Sequence, residues 1–374
     1  MAYDIGFLGG GQLARMSIQA AQRLGLTCLS LDPAIDSPAS QVADSMVGPL
    51  DDPNRIADVF RSCSRVTLEN EFIDATAIRE GLQLAVADES VLLPGLDCLA
   101  TIQDKLLQKQ AIALAGVPSP RAWEIGGIVH QPPSASPPDK GGDCEPVVLK
   151  ARFGGYDGKG TRYARDLEEM EEHRYLWGPG GWMAEEMVDF RGELAVMVFR
   201  SPNQTGCFPT METVQTNHVC DLVFPSGADA SEIAVSAVEA VGGYGLFGVE
   251  LFELHDGSFK VNEIAPRPHN SGHYTLDWGG VSQFEQHVRL VMGWPLDKPR
   301  GLDVCMANLL GQHGAGDHRA GLAPALSEPS IHLHWYGKVE SRPGRKMGHI
   351  NAVGKDCVKR AKSARERFYG AWVG

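Results

Sequence analysis

The sequence predicts an α/β protein of more than one domain, opening with a parallel, helix-covered sheet of the Rossmann type. Three observations carry that expectation. Apolar strand-like runs alternate with helix-like runs over residues 1–95. A glycine turn, Gly9 to Gly11 in GFLGGGQLARM, joins one apolar run to a helical one. Farther along, two apolar strands, GVELFEL and KVNEIAP, each carry a carboxylate, Glu250 and Glu263.

The elements follow in order. DIGFL reads as a strand, and GQLARMSIQAAQRLG as a helix with its apolar face at Leu13, Met16, Ala20 and Leu24. LTCLSLD is a second strand, DDPNRIADVFRSC a helix with Pro53 in its first turn, and SRVTLE a third strand. Pro94 and Gly95 punctuate the end of this unit. TIQDKLLQKQAIALAG then reads as one helix closed by Gly116. From Gly126 to Pro146 the composition turns to Pro, Gly and Ser, which cannot build a core, so this stretch is expected to be a surface insertion. PVVLK is a buried-type strand ending at Lys150. A glycine-rich loop, a helix around DLEEMEEHRYL, and strands around WMAEEMV and GELAVMVF come next. ASEIAVSAVEAVGGYG is a helix, and GLFGVELFEL and SFKVNEIAP are paired strands turning at His255 to Gly257. A helix at SQFEQHVRLVMG and strands at VCMANLLG and IHLHWYG complete the reading.

Composition bounds the function. With 374 residues the chain exceeds one ordinary core. A net charge of −13 disfavours a nucleic-acid partner, although a few local cations can still bind a small anion. No apolar run reaches the roughly 20 residues of a membrane span, and MAYDIGFLGG lacks the basic start of a signal peptide, so a cytoplasmic protein is expected. The eight cysteines show no metal-ligand spacing and read as reduced core filler.

Five constellations carry chemistry. Gly9, Gly11 and Ala14 spell G-x-G-x-x-A, and Asp32 ends the next apolar run, which on its own suggests a dinucleotide site and an NAD-dependent oxidoreductase. Lys150 with Gly154, Gly155, Gly158, Lys159 and Gly160 suits a triphosphate held under a flexible backbone, or else a turn-rich hairpin. Glu250 and Glu263, with Asn262 beside them, offer hard oxygens to magnesium, or else are salt-bridged strand acids. The polar run RPHNSGH (Arg267 to His273) suits an oxygen-rich substrate, and RPGRK (Arg342, Arg345, Lys346) a phosphate clamp. A solvated loop and an exposed basic turn are the plainer readings of these two.

Lys150 with its glycine loop, Glu185, Glu193, Glu250 and Asn262-Glu263 together resemble the ATP-grasp superfamily. GGGQLARM, DPAIDSPASQVAD, VTLENEF, IQDKLLQK, GGYDGKG, VNEIAPRPHNSGH, SQFEQHVR and HLHWYGK…RPGRKMGH occur in this order and resemble the 5-(carboxyamino)imidazole ribonucleotide synthase family over nearly the whole chain. The resemblance implies an ATP-grasp fold with an N-terminal Rossmann-like (pre-ATP-grasp) domain. The expected division is 1–100, a small ATP-binding lid domain at 101–180, and a central and C-terminal domain at 181–374. It implies a ligase that takes ATP, bicarbonate and 5-aminoimidazole ribonucleotide, with magnesium as cofactor, manganese as its substitute, and a homodimeric assembly.

Carried over by position, it implies that Lys105 and Lys150 contact ATP phosphates, and that Gly155, Tyr156, Asp157, Gly158, Lys159, Gly160 and Thr161 form the lid. Glu185 and Val188 line the adenine site, with Glu186 and Met187 counted among the ATP-binding residues, and Glu193 holds the ribose. Asn262 and Glu263 complete the nucleotide site, where Glu250 and Glu263 hold magnesium. Tyr156, Asp157, Lys159, Arg267, His269 and Lys346 serve catalysis, Asp157 as proton acceptor. Gln12, Glu69, Asn270, Ser271, Lys338 and Arg345 serve the ribonucleotide. Where the family has Glu-Asn-Val-His, this chain reads ETVQ, so an uncharged Gln215 stands in the nucleotide position. Rival readings are another ATP-grasp ligase, such as formate-dependent glycinamide ribonucleotide transformylase or biotin carboxylase, the NAD enzyme, and a non-catalytic ATP-binding regulator.

Overall fold

The computed structural model describes residues 1–125, 146–155, 158–173, 175, 181–313 and 316–372. The expected insertion, apart from Pro146, and Tyr156 and Asp157 lie outside the described residues.

The N-terminal strands are β1 (Tyr3–Leu8), β2 (Cys28–Asp32), β3 (Asp44–Val47), β4 (Cys63–Leu68) and β5 (Leu92–Leu93). They form a wholly parallel sheet in the order β3-β2-β1-β4-β5. Helices α1 (Gln12–Arg23), α2 (Pro53–Ser62) and α3 (Ala75–Ala85) cross between strands. Asp52 caps α2 by accepting from the Asn54 amide, and Pro53 supplies the first turn. Leu13, Met16 and Ala20 of α1 are buried as expected, but Leu24 is 38% exposed. The helix ends at Arg23, leaving Leu24 as its C-cap just before the chain turns away through Gly25 at φ +79°.

The expected single helix at 101–116 is two, α4 (Leu96–Gln103) and α5 (Lys105–Leu114). Asp104 breaks them. Its backbone is extended, and its carboxylate caps α5 by accepting from the Leu106 amide. The same carboxylate receives the Arg152 guanidinium in a two-pronged pair, Nε to Oδ1 at 3.0 Å.

A small antiparallel sheet follows, ordered β6-β9-β7-β8: β6 (Ala122–Glu124), β7 (Val147–Ala151), β8 (Thr161–Ala164) and β9 (Trp182–Glu186), with helix α6 (Leu167–Glu172) after β8. Because β9 is paired here, a boundary at residue 180 would cut this sheet. Helix α5 instead packs against α7 (Ser231–Val241) of the next unit. We therefore propose that the lid unit runs from β6 to β9.

The largest sheet is antiparallel. Its strands are β10 (Gly192–Arg200), β11 (Thr205–Cys207), β12 (Met211–Thr216), β13 (Val219–Pro225), β14 (Gly245–Glu253), β15 (Phe259–Ala265), β16 (Val304–Leu310), β17 (Ile331–Trp335) and β18 (Lys346–Val353). They run β15-β14-β10-β12-β13-β16-β18-β17, with β11 paired to β10. A short join of two residue pairs, β13 to β16, carries the C-terminal strands into the same sheet through Leu222 and Val223. Helices α9 (Arg319–Leu326) and α10 (Cys357–Trp372) cover the C-terminal end. Helix α8 (Gln283–Met292) reaches back to bury Phe284 and Val288 against Leu13 and Ile18 of α1, tying the large sheet to the N-terminal one.

Asp104→Ala removes both the cap and the charge facing a largely buried arginine. It should lower stability by about 3 kcal/mol, read from urea unfolding followed by circular dichroism, and Asp104→Asn should recover part of the loss by restoring the cap.

Candidate active site

Strands β14 and β15 place Glu250 directly opposite Glu263. The register then slips, because Val261 pairs with Leu251 and leaves Asn262 as the extra residue of a bulge. Neighbours on a regular strand face opposite sides. The bulge is what lets Asn262 and Glu263 both line the cleft beside Glu250.

Cations from two other elements meet this wall. Lys105, the first residue of α5, pairs with Glu263. Lys150, from β7 of the small sheet, lies 2.7 Å from Glu185 and donates to Asn262 Oδ1 at 3.0 Å. Lys109, one turn along α5 from Lys105, approaches the other Glu185 oxygen at 3.1 Å. Burial pushes Lys109 down to about 8. Burial also raises Glu185 and Glu263, but the facing lysines outweigh it and hold both below the ordinary value. Glu250 is different. Burial, then Glu263 and Glu193, push it up to about 7, and Lys346 and Lys105 offset only part of this. Glu250 and Glu263 share one wall, and Glu250 carries repulsion that the lysines do not relieve. Together with the Asn262 oxygen, that donor set fits a hard divalent cation.

The cleft runs between the small and large sheets. One end is apolar, with Val148, Met187, Val188, Phe190 and Phe252, where the Phe190 and Phe252 rings stack at 4.6 Å between centroids. The other end is closed by the glycine loop, of which Gly155, Gly158, Lys159, Gly160 and Thr161 line the cleft. Gly158 and Gly160 sit at φ +74° and +80°, where a side chain would be strained. The loop joins antiparallel β7 and β8, so the hairpin reading and the ligand-loop reading describe the same feature. Glu186, on the same edge, is paired with Lys260 and Arg121. Gln215 hydrogen-bonds Glu193, which opposes the burial that raises that carboxylate.

His269, Asn270 and Lys346 line the floor. His269 Nε2 lies 3.6 Å from Glu250. Its Nδ1 meets Ser271 Oγ at 2.9 Å, and burial holds the ring neutral, well below its ordinary value. Asn270 exchanges hydrogen bonds with Asn308.

Other expected residues lie off this wall. Arg267 is turned onto Glu71 in a bidentate pair, because a buried guanidinium is satisfied there by a buried carboxylate. The expected clamp of Arg342, Arg345 and Lys346 is also divided: Arg342 pairs with Glu340, Arg345 donates to the Glu340 carbonyl, and Lys346 alone of the three lines the cleft. Lys338 donates to the Lys346 carbonyl at 2.7 Å.

The opening glycine turn is occupied by the chain's own acids. Asp32 accepts from the Gly10 amide at 2.7 Å, and Glu69 accepts from the Leu13 amide at the start of α1 at 3.3 Å. A Cβ on Gly11 would sit 2.2 Å from Glu69 Oε1. The acid that would grip a ribose is spent on the loop itself, which argues against a dinucleotide here. Gln12, at the start of α1, is half-buried beside this turn.

Sequence reasoning missed Lys109, Val148, Tyr163, Phe190, His218 and Phe252. Two signals were available, since Val148 and Phe252 lie two residues from Lys150 and Glu250 and so share their faces. The Tyr163–His218 stack, at 6.0 Å between the small sheet and the turn after β12, left no mark in the sequence.

Three family models match the chain. A ribonucleotide synthetase preATP-grasp domain matches residues 1–103, an ATP-grasp domain residues 144–284, and a phosphoribosylaminoimidazole carboxylase C-terminal domain residues 304–363. The N5-carboxyaminoimidazole ribonucleotide synthase of Synechococcus elongatus is 38% identical across 96% of this chain and 92% of its own. The chain belongs to the N5-carboxyaminoimidazole ribonucleotide synthase family. The phosphoribosylaminoimidazole carboxylase of Ogataea methanolica is 36% identical across 95% of this chain and 68% of its own. An Aspergillus clavatus N5-carboxyaminoimidazole synthase, solved with ADP and 5-aminoimidazole ribonucleotide, superposes with a TM-score of 0.84 at 29% identity, covering 99% of this chain and 98% of that one. The ATP-grasp match spans Lys150, the glycine loop, Glu250 and Glu263.

A synthase cleft of this kind should be stabilised by nucleotide and not by a dinucleotide. Mg-ATP at about 100 times its Kd should add about 2.7 kcal/mol, seen as a rise in Tm, while NADH should leave the Tm unmoved.

Proposed function

We propose that this chain catalyses the ATP-dependent carboxylation of 5-aminoimidazole ribonucleotide by bicarbonate, a step of purine biosynthesis. The observation that carries this reading at residue level is the opposition of Glu250 and Glu263 across the β14–β15 bulge, with Lys105 and Lys150 facing them.

The course follows from the chemistry. Bicarbonate is a weak electrophile, so its oxygen first attacks the γ-phosphoryl group of ATP, giving carboxyphosphate and ADP. Lys105, Lys150 and Lys159 neutralise charge on the moving phosphoryl group. Glu250, Glu263 and Asn262 would hold magnesium, which when bound supplies charge neutralisation at the phosphates. The adenine lies at the apolar end, between Val148, Val188, Phe190 and Phe252. Carboxyphosphate is short-lived in water, and closure of the glycine loop over it excludes solvent. The amine then attacks the activated carboxyl carbon and phosphate leaves. His269, neutral and beside Glu250, and Lys346 handle the carboxyl transfer. The ribonucleotide occupies the neighbouring surface bounded by Gln12, Glu69, Arg267, Ser271, Lys338 and Arg345. Arg267 acts there with Glu71 held in its fork. The proton-acceptor role expected of Asp157 falls outside the described residues.

Among the described residues no helix is long and apolar enough to cross a membrane. A cytoplasmic, homodimeric enzyme is proposed with this function, and gel filtration with light scattering tests the assembly.

Phosphate release should need ATP and bicarbonate and should rise with 5-aminoimidazole ribonucleotide. Glu263→Gln should abolish turnover with the fold intact by circular dichroism. Turnover within a few-fold of wild type at limiting magnesium would remove the metal assignment. His269→Ala should lose about 10²–10³ in ribonucleotide-dependent rate with ATP affinity kept. Lost ATP affinity beside normal ribonucleotide stimulation would instead place His269 at the nucleotide.

A further inference from the structure

The side chain of Gln283, the first residue of α8, makes three hydrogen bonds in the floor of the cleft. Its Oε1 accepts from the His269 backbone amide at 3.0 Å. Its Nε2 donates to the His269 carbonyl at 2.8 Å and meets His273 Nδ1 at 2.9 Å. The side chain is wholly buried, and its own backbone amide donates to Thr275 Oγ1 at 2.9 Å.

This pattern is self-consistent in only one orientation. An amide N–H must face a carbonyl, and an amide oxygen must face an N–H. The two backbone groups of His269 therefore fix which end of the Gln283 amide is which. His273 Nδ1 is then an acceptor and its ring proton sits on Nε2, a tautomer that agrees with burial keeping this ring neutral.

The clamp holds one residue from behind. His269 is held from the front by Gly248 of β14, where a Cβ would come within 2.5 Å of the His269 Cβ. Gly272, one turn on, is open enough to admit the Gln283 oxygen, and a Cβ there would lie 2.4 Å from it. These contacts fix the His269 backbone, and its ring lies 3.6 Å from Glu250. Loop residues rarely have such support, because a loop ordinarily leaves its backbone groups to water.

We infer that Gln283 is a positioning residue for the carboxyl-transfer step, setting the depth and angle of His269 in the cleft through both backbone groups of that residue. The inference rests on the reading of His269 given above. Gln283 touches no reacting atom. It acts through His269, and misplacement of a reacting group by about 1 Å can cost 10²-fold in rate.

The test is a double-mutant cycle on the full-length enzyme. Gln283→Met keeps the volume and loses all three hydrogen bonds. Gln283→Glu keeps an acceptor for the His269 amide and loses the donor to its carbonyl and to His273. Both should lower the ribonucleotide-dependent kcat by about 10–100-fold, leave the KM for ATP within two- to three-fold, and keep the bicarbonate-dependent ATPase measured without ribonucleotide. In the His269→Ala background, Gln283→Met should cost less than three-fold more, because a residue that acts through another has little left to do when that one is gone. Full additivity of the two losses would overturn the inference, as would Gln283 variants with normal ribonucleotide-dependent kcat beside a defective His269→Ala. A His269→Ala enzyme with normal kcat would overturn the functional reading itself and this inference with it. Should Gln283→Met not fold, the Gln283→Glu arm of the same cycle, nearly the same shape, decides the matter by the same criteria.

Discussion

The structure depends on holding several carboxylates together in a partly dry cleft. Like charges this close oppose folding unless cations or a metal answer them. The chain answers with lysines from separate elements: Lys105 and Lys109 from α5, Lys150 from the small sheet. Each pairing therefore also fixes the position of one element against another. Asp104, with Arg152 in its fork, does the same one residue before Lys105. It starts α5 at the residue that places Lys105 against Glu263. Fold and site are built from the same contacts.

The carboxylates divide by environment. Glu185 is fully answered by two lysines and is held below its ordinary value. Glu250 lies between Glu263 and Glu193 and is pushed up to about 7. A structural pair is satisfied within the protein, whereas a ligand-binding group keeps unmet charge for its ligand. Through its ion pairs with Lys109 and Lys150, Glu185 is a strut between α5 and the small sheet as well as a wall of the cleft. Glu250 is the carboxylate left to meet something from outside, opposite a Glu263 that Lys105 already faces.

Much of this was legible in the sequence, and the reasons are local. Glu250 and Glu263 could be paired from the strand periodicity and the short turn between them, and the parallel N-terminal sheet from strand–helix alternation. What stayed hidden depends on side chains far apart in sequence. Nothing in RPHNSGH says that Arg267 will turn to Glu71, nearly two hundred residues upstream, and leave the cleft wall to His269. The glycine turn at Gly9 to Gly11 looked like an anion site because its local geometry is one. The acids it receives are the chain's own, Asp32 on the Gly10 amide and Glu69, just past β4, on the Leu13 amide. The break at Asp104 was missed because helix propensity runs on through IQDKLLQK, and only the capping geometry stops it.

The placement of charge also explains how an acidic protein can take in polyanions. The chain carries −13 overall, which should repel ATP and a ribonucleotide phosphate alike. Screening limits that repulsion to roughly 8 Å at physiological salt, so the surface charge fades before it reaches the floor of the cleft. What a ligand meets there is Lys105, Lys150, Lys159 and Lys346. Lys105 and Lys150 are already engaged with Glu263, Glu185 and Asn262, so they are held in place before any substrate arrives. Ionic partners within the protein thus serve as preorganisation: the cost of gathering the cations is met in folding, and a phosphate that enters the cleft exchanges one set of partners for another.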